Sequence, residues 1–178
     1  PLQSVIGVVE RRQTMPVLAN VLLSARDSRL AITGTDLEVE LVAATQVGLE
    51  QPGDITVPGR KLLDIFRALP DGANVTLSTE GERIMVRAGR SRFTLSTLPA
   101  AEFPVIEEIN AAQTLSLRQG EFGRVIDKSK LYMEKEAERY YLTGIMLETP
   151  EKTLRAVATD GQGLALSEMQ ILSQGKAG

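Results

Sequence analysis

One helical spacing comes round three times in this chain. Apolar residues stand at i, i+3, i+4 and i+7 in Leu2, Val5, Ile6 and Val9, and again in Leu62, Ile65, Phe66 and Leu69. The third copy is Phe122, Val125, Ile126 and Ser129, with only the last position weakened. This spacing places four side chains on one face of a helix, so each copy predicts a helix with one buried face. A lone match says little. Three in phase, sixty residues apart, predict a unit copied along the chain and a modular scaffold rather than one catalytic pocket.

Between the helices, residues 17–27, 29–36 and 37–45 read as β-rich, with period-two alternation clearest in Leu37-Glu38-Val39-Glu40-Leu41. Residues 53–58 form a further strand, and the second helix, 59–69, stops at Leu69-Pro70-Asp71-Gly72. Strands at 74–78, 83–87 and 91–98 are joined by turns at Glu80-Gly81-Glu82 and Ala88-Gly89-Arg90, as in antiparallel hairpins. Residues 99–113 carry two prolines and read as a connection. A strand at 114–117, the third helix at 119–130 and strands at 140–148, 153–159 and 164–171 complete the pattern. The expected division is a first domain at 1–107, a linker at 108–113 and a second unit at 114–178.

The strands repeat as well. At an offset of 124, Leu18, Leu23, Leu30, Thr35 and Asp36 match Leu142, Leu147, Leu154, Thr159 and Asp160 without a gap. Helices repeat at 120 and strands at 124, so the second copy holds extra residues between helix and strand, and 130–139 is the place for them. The chain begins at Pro1, inside the first helical template, and so reads as a fragment.

Composition narrows the chemistry. Hydrophobic residues are 43% but aromatics only 4%, which suits a core of Leu, Val, Ile and Ala in thin layers. There is no Cys, which removes disulfides and thiolate metal sites, and no His, which removes the usual general base and the commonest metal ligand. A net charge of −3 does not advertise nucleic-acid binding, yet leaves room for a basic face on an acidic body. No apolar run approaches the roughly 20 residues that span a bilayer, and no signal peptide is visible, so cytoplasm is the expected location.

Arg60 and Arg67 stack on the polar face of the second helix, and Arg124 and Lys128 stand at i, i+4 on that of the third. For one helix this is a solvated surface. Helices of equivalent units face the same way, however, so their cations can line one surface and meet phosphates without reading bases. Arg11 and Arg12, after the first helix, can join them. Tyr140 and Tyr141 open an expected strand, where neighbours point to opposite faces; at most one ring is buried, and the other can reach a sugar or base face. Thr35-Asp36 and Thr159-Asp160 tempt as catalytic carboxylates, but their repetition predicts a turn Asp capping backbone N–H groups in each unit. Phosphate-binding glycine motifs are absent: Gly161-Gln162-Gly163 lacks the third glycine of a dinucleotide fingerprint. Glu134, Glu136 and Glu138 read as a solvated loop run rather than metal ligands. Two rival classes stay open at this level: a hydrolase using Asp36 and Asp160, and a repeat-built protein-interaction scaffold with no DNA role.

Met15-Pro16-Val17-Leu18-Ala19-Asn20, Gly34-Thr35-Asp36-Leu37-Glu38, the run from Arg90 to Pro99 and Arg139-Tyr140-Tyr141-Leu142 together resemble the bacterial sliding-clamp family, the beta subunit of DNA polymerase III. The resemblance covers essentially the whole chain, and the Arg90–Pro99 run is its most specific part. It implies an α+β fold of tandem clamp domains, with antiparallel sheets outside and paired helices on the inner face, three domains per chain and two chains closing a homodimer ring. The chain resembles the first domain without its N-terminal strand, plus about the first half of the second.

The implied role is non-enzymatic and needs no cofactor or metal. The ring encircles duplex DNA without sequence specificity and, as a processivity factor, tethers the replicative polymerase, the clamp loader and other proteins carrying a short linear motif. The alternative is a divergent clamp paralogue or scaffold with weakened DNA or partner binding. On matching positions, DNA-facing candidates are Arg12, Arg60, Arg67, Arg124, Tyr140 and Tyr141, and ring-interface candidates are Lys61, Ile65, Phe93 and Leu95. Leu142, Thr159, Gly161, Gln162, Gly163 and Leu164 match part of the partner-peptide groove. The family usually follows Thr-Asp-Gly with His-Arg where this chain has Gln162 and Gly163. Losing the Arg stem and charge removes a groove wall and predicts weaker peptide binding. The acidic loop before Arg139 predicts weaker phosphate approach.

Overall fold

The computed structural model describes residues 1–9, 15–104, 106 and 111–176. It divides into two compact units, Pro1–Glu107 and Glu108–Gly178. All strand pairing among the described residues is antiparallel.

In the first unit, α1 (Leu2–Val5) tightens into a 3-10 turn, Ile6–Val8. The template thus survives as a buried stripe of Leu2, Val5 and Val9 rather than as two full α-helical turns. A second 3-10 turn, Pro16–Ala19, takes the start of the expected 17–27 strand; its Pro needs no N–H partner there. The strands β1 (Asn20–Arg26), β2 (Arg29–Thr35), β3 (Glu40–Gln46) and β4 (Gly53–Pro58) form a sheet ordered β3-β2-β1-β4. Strand β3 begins at Glu40 and not at Leu37, because residues 36–39 are spent on a turn.

Helix α2 (Gly59–Ala68) follows β4 directly. A Cβ at Gly59 would stand 2.9 Å from both Ile6 Cδ1 and Val21 Cγ1, so only glycine lets the helix start this close to the sheet. Leu69 leaves the helix with ψ 149°, the extended conformation forced on a residue before proline. A second sheet, ordered β5-β6-β7, contains β5 (Val75–Glu80), β6 (Arg83–Ala88) and β7 (Ser91–Ser96). Leu2, Val5, Val21, Val57, Leu62, Ile84 and Val86 belong to one core that joins both helices to both sheets. Thr56 ties the sheets by hydrogen bonds: its hydroxyl donates to Leu98 O at 2.8 Å and accepts from Asn20 Nδ2 at 2.9 Å and Leu98 N at 3.2 Å.

In the second unit, α3 (Gln119–Ser129) packs on a sheet ordered β11-β10-β9, made of β9 (Met146–Glu148), β10 (Thr153–Thr159) and β11 (Leu164–Gln170). Val125, Leu154, Ala156 and Met169 form its core. The weakened template position is filled after all: Ser129 is fully buried and its hydroxyl donates to Ala156 O at 3.3 Å. Strand β8 (Gln113–Ser116) pairs with β12 (Ser173–Lys176), a strand beyond the expected pattern. The expected strand at 140–148 is corrected. Residues Ala137–Leu142 form 3-10 turns kinked at Arg139, and only Met146–Glu148 is extended. Lys130–Tyr132 is a further 3-10 turn, so the extra residues of the second copy build a compact loop.

Candidate functional site

On α2 the buried face is Leu62 and Leu63, with Ile65 and Phe66 packed partly beneath. Arg60, Lys61 and Arg67 are exposed. The two arginines are not equivalent. Arg60 Nε and Nη2 both donate to Val9 O, at 3.1 and 2.6 Å, closing the end of the first 3-10 turn. Arg67 enters no ion pair among the described residues. Arg12 lies outside the described residues.

On α3, Arg124 and Lys128 are exposed and likewise enter no ion pair among the described residues. They border a shallow hollow with Glu121, Ser167 and Glu168, so carboxylates flank the cations. Glu121 is already paired with Arg118 at 3.1 Å. Tyr140 and Tyr141 are 78% and 70% exposed, with ring centroids 5.8 Å apart and planes at 85°. Neither ring is buried, because the 3-10 conformation removes the alternation a strand would impose.

The Thr-Asp turns repeat in detail. Asp36 Oδ1 accepts from Glu38 N and Val39 N at 3.0 and 2.7 Å; Asp160 Oδ1 accepts from Gln162 N and Gly163 N at 2.9 and 2.8 Å. Thr35 and Thr159 hydroxyls accept from Leu37 N and Gly161 N at 3.0 and 3.1 Å. Both carboxyls are held below their usual range chiefly by these backbone donors, Val39 first for Asp36 and Gly163 first for Asp160. They are turn caps, as their repetition implies. Leu37 (φ 79°) and Gly161 (φ 85°) share the left-handed position.

The expected groove residues come together around the second turn. Thr159 donates to Gly163 O at 2.6 Å, Leu164 is exposed directly across from Thr159, and Leu142 is half-buried at the end of the 3-10 segment. Three residues to which sequence reasoning gave no role at this turn complete the surroundings. Arg139 Nη1 donates to Asp160 O at 3.3 Å and stands 3.1 Å from where a Cβ at Gly161 would lie. Glu134, expected to be solvated, has a side chain only 15% exposed; it accepts from Lys135 N and Glu136 N at 2.7 and 3.1 Å and stands 3.8 Å from Arg139. Tyr132 lies against Gly163. No local pattern marks the roles of Arg139 and Tyr132, since each depends on a partner distant in sequence, Asp160 and Gly163.

Among the interface candidates, Lys61 is exposed and Ile65 and Phe93 are half-buried against the core. Leu95 is 9% exposed, paired across β6 with Ile84, so its side chain serves the core. Strand β7 is an edge of its sheet, leaving its backbone groups facing away from β6 as the open feature there.

Solved structures share this architecture. The DNA polymerase III subunit beta of Pseudomonas aeruginosa superposes with a TM-score of 0.91 at 47% identity, covering 98% of this chain and 49% of that one. A DNA polymerase sliding clamp from Caulobacter crescentus gives 0.88 at 42%, covering 99% and 49%. Helix-backed antiparallel sheets in this arrangement are the DNA clamp fold. Residues 1–107 match the family model described as DNA polymerase III beta subunit, N-terminal domain, and residues 116–177 match its central domain. The chain belongs to the DNA polymerase III beta subunit family. Curated relatives named beta sliding clamp include one from Pseudomonas putida, 52% identical over 170 residues, and one from Escherichia coli K12, 47% identical over 172. The alignments cover 95% and 96% of this chain but 46% and 47% of those proteins, so the chain spans about half their length.

Proposed function

We propose that this chain is part of a ring that encircles duplex DNA without reading its sequence and tethers the replicative polymerase and other partners to it. Such a ring acts by topology and performs no chemistry of its own, in the cell interior where bacterial DNA is replicated. Among the described residues no helix is long and apolar enough to cross a membrane. The observation that carries the reading is that both α2 and α3 keep exposed cations, Arg67 and Arg124 with Lys128, that enter no ion pair among the described residues. Loose, solvated cations meet phosphates without fixing a register, which suits sliding. Arg12, Arg60, Tyr140 and Tyr141 complete the proposed DNA face. Lys61, Ile65 and Phe93, with Leu95 beneath, mark the ring interface along the β7 edge. The turn at Thr159–Leu164, with Leu142, is proposed to receive the partner's linear peptide.

The test uses the complete protein loaded on nicked circular DNA. Arg67→Glu with Arg124→Glu is the chosen variant, because Arg60 also holds Val9 and its loss would confound folding with binding. Retention on circles is expected to shorten with thermal stability unchanged. Retention equal to the parent's would sink the assignment of these faces to DNA.

A further inference from the structure

The groove turn carries two glycines for different reasons. Gly161 has φ 85°, a left-handed backbone that glycine adopts without strain; Gly163 has no left-handed backbone. What Gly163 lacks is room. A Cβ there would fall 2.5 Å from Tyr132 Cδ1 and 3.2 Å from Cζ, and closer still to Cε1. The Tyr132 ring occupies the volume a side chain at 163 would fill. It comes from the 130–142 loop, whose extra residues distinguish the second copy from the first.

Tyr132 remains 41% exposed, so the ring is seated on the turn and also presents surface to solvent. Leu164, 62% exposed, leads from this turn onto the outer face of the sheet, and its neighbour on that face, Leu166, is 55% exposed. The charges nearby favour neutral contacts. Asp160 accepts two backbone N–H bonds, which favour its ionised form, and Glu134 stands 3.8 Å from Arg139. A carboxylate brought here would meet the like charges of Asp160 and Glu134, and Glu134 already stands beside Arg139.

We propose that Tyr132 is a specificity-determining wall of the peptide groove, replacing any residue-163 side chain with an aromatic platform that takes an apolar or aromatic side chain of a partner's linear peptide. This rests on the groove reading above and adds which residue selects the peptide and for what chemistry. Gly163 is then a requirement of Tyr132, and the two substitute only as a pair.

The experiment measures binding of a fluorescent linear peptide bearing a Leu-Phe pair to the complete protein, beside the same peptide with Phe→Ala. Tyr132→Phe is expected to bind as the parent does, since the ring and not the hydroxyl makes the contact. Tyr132→Ala is expected to weaken the Phe peptide about tenfold, on the scale of one aromatic contact. It should change affinity for the Phe→Ala peptide by less than about twofold, since that contact is already missing. Gly163→Ala should weaken binding where Tyr132 is present and have little effect in the Tyr132→Ala background. Parent-like binding of the Phe peptide by Tyr132→Ala overturns the proposal while leaving the groove reading standing. Equal loss for both peptides also overturns it, because it marks a structural role. Failure of the parent to bind either peptide overturns the groove reading and this inference with it.

Discussion

Asp36 and Asp160 each accept two backbone N–H bonds, and the bonds favour the ionised carboxylate. With a folded pKa below the unfolded one, each contributes stability that is present above the unfolded value and lost as pH falls through the folded one. Asn keeps the Oδ1 acceptor but does not titrate. Urea midpoints taken from pH 6 down to about pH 2.5 should therefore fall less steeply for Asp36→Asn with Asp160→Asn than for the parent, below the usual carboxylate range near ~3.9. Identical acid limbs would show that other carboxylates govern the decline. The Thr-Asp repeat made these caps readable in the sequence. The conformation of Leu37 was not: alternation through Leu37-Glu38-Val39 reads as strand, and the capping bonds of Thr35 and Asp36 bend the chain into a turn instead. Tyr132 was also hidden, because the volume it fills belongs to a residue far away in sequence.

Among elements, the three helical templates were legible because burial on one face is a local periodic signal. Its grading appears only in the packing. Leu62 is fully buried on α2, whereas Leu69 has left the helix and is half-buried. Leu62→Ala should cost about 2–5 kcal/mol in chemical denaturation, as a filled core position does, and Leu69→Ala distinctly less. Equal costs would mean that the stripe continues past the helix end. The expected strand at 140–148 failed for a tertiary reason. Aromatic and branched residues favour a strand there, but Glu134 N–H donates to Leu142 O at 3.0 Å and Arg139 reaches Asp160 O, which fold the segment back into a loop. Strand β12 was missed because Ser173-Gln174-Gly175-Lys176 carries no apolar alternation; its pairing with β8 defines it.

At the scale of the molecule, a net charge of −3 coexists with exposed cations on α2 and α3, and salt separates the two. On the proposed function, log K of the complete protein for linear duplex should fall with log salt by roughly 0.9 per neutralised phosphate, and Arg67→Glu with Arg124→Glu should flatten that slope by about two such increments. A slope unaffected by the substitutions would assign phosphate contact to other residues. The repeat made the modular plan visible in the sequence, and the family match gave its fold; neither reveals how the second unit uses its two faces. In that unit α3 covers the sheet face carrying Ala156 and Met169, while Leu164 and Leu166 stand on the opposite face, beside the turn under Tyr132. Ligands held on opposite sides of one sheet do not compete for space. On the proposed function, one partner can therefore be exchanged for another at the Leu164 face while the α3 side stays on its track, and turnover of partners and residence are separately adjustable by mutation.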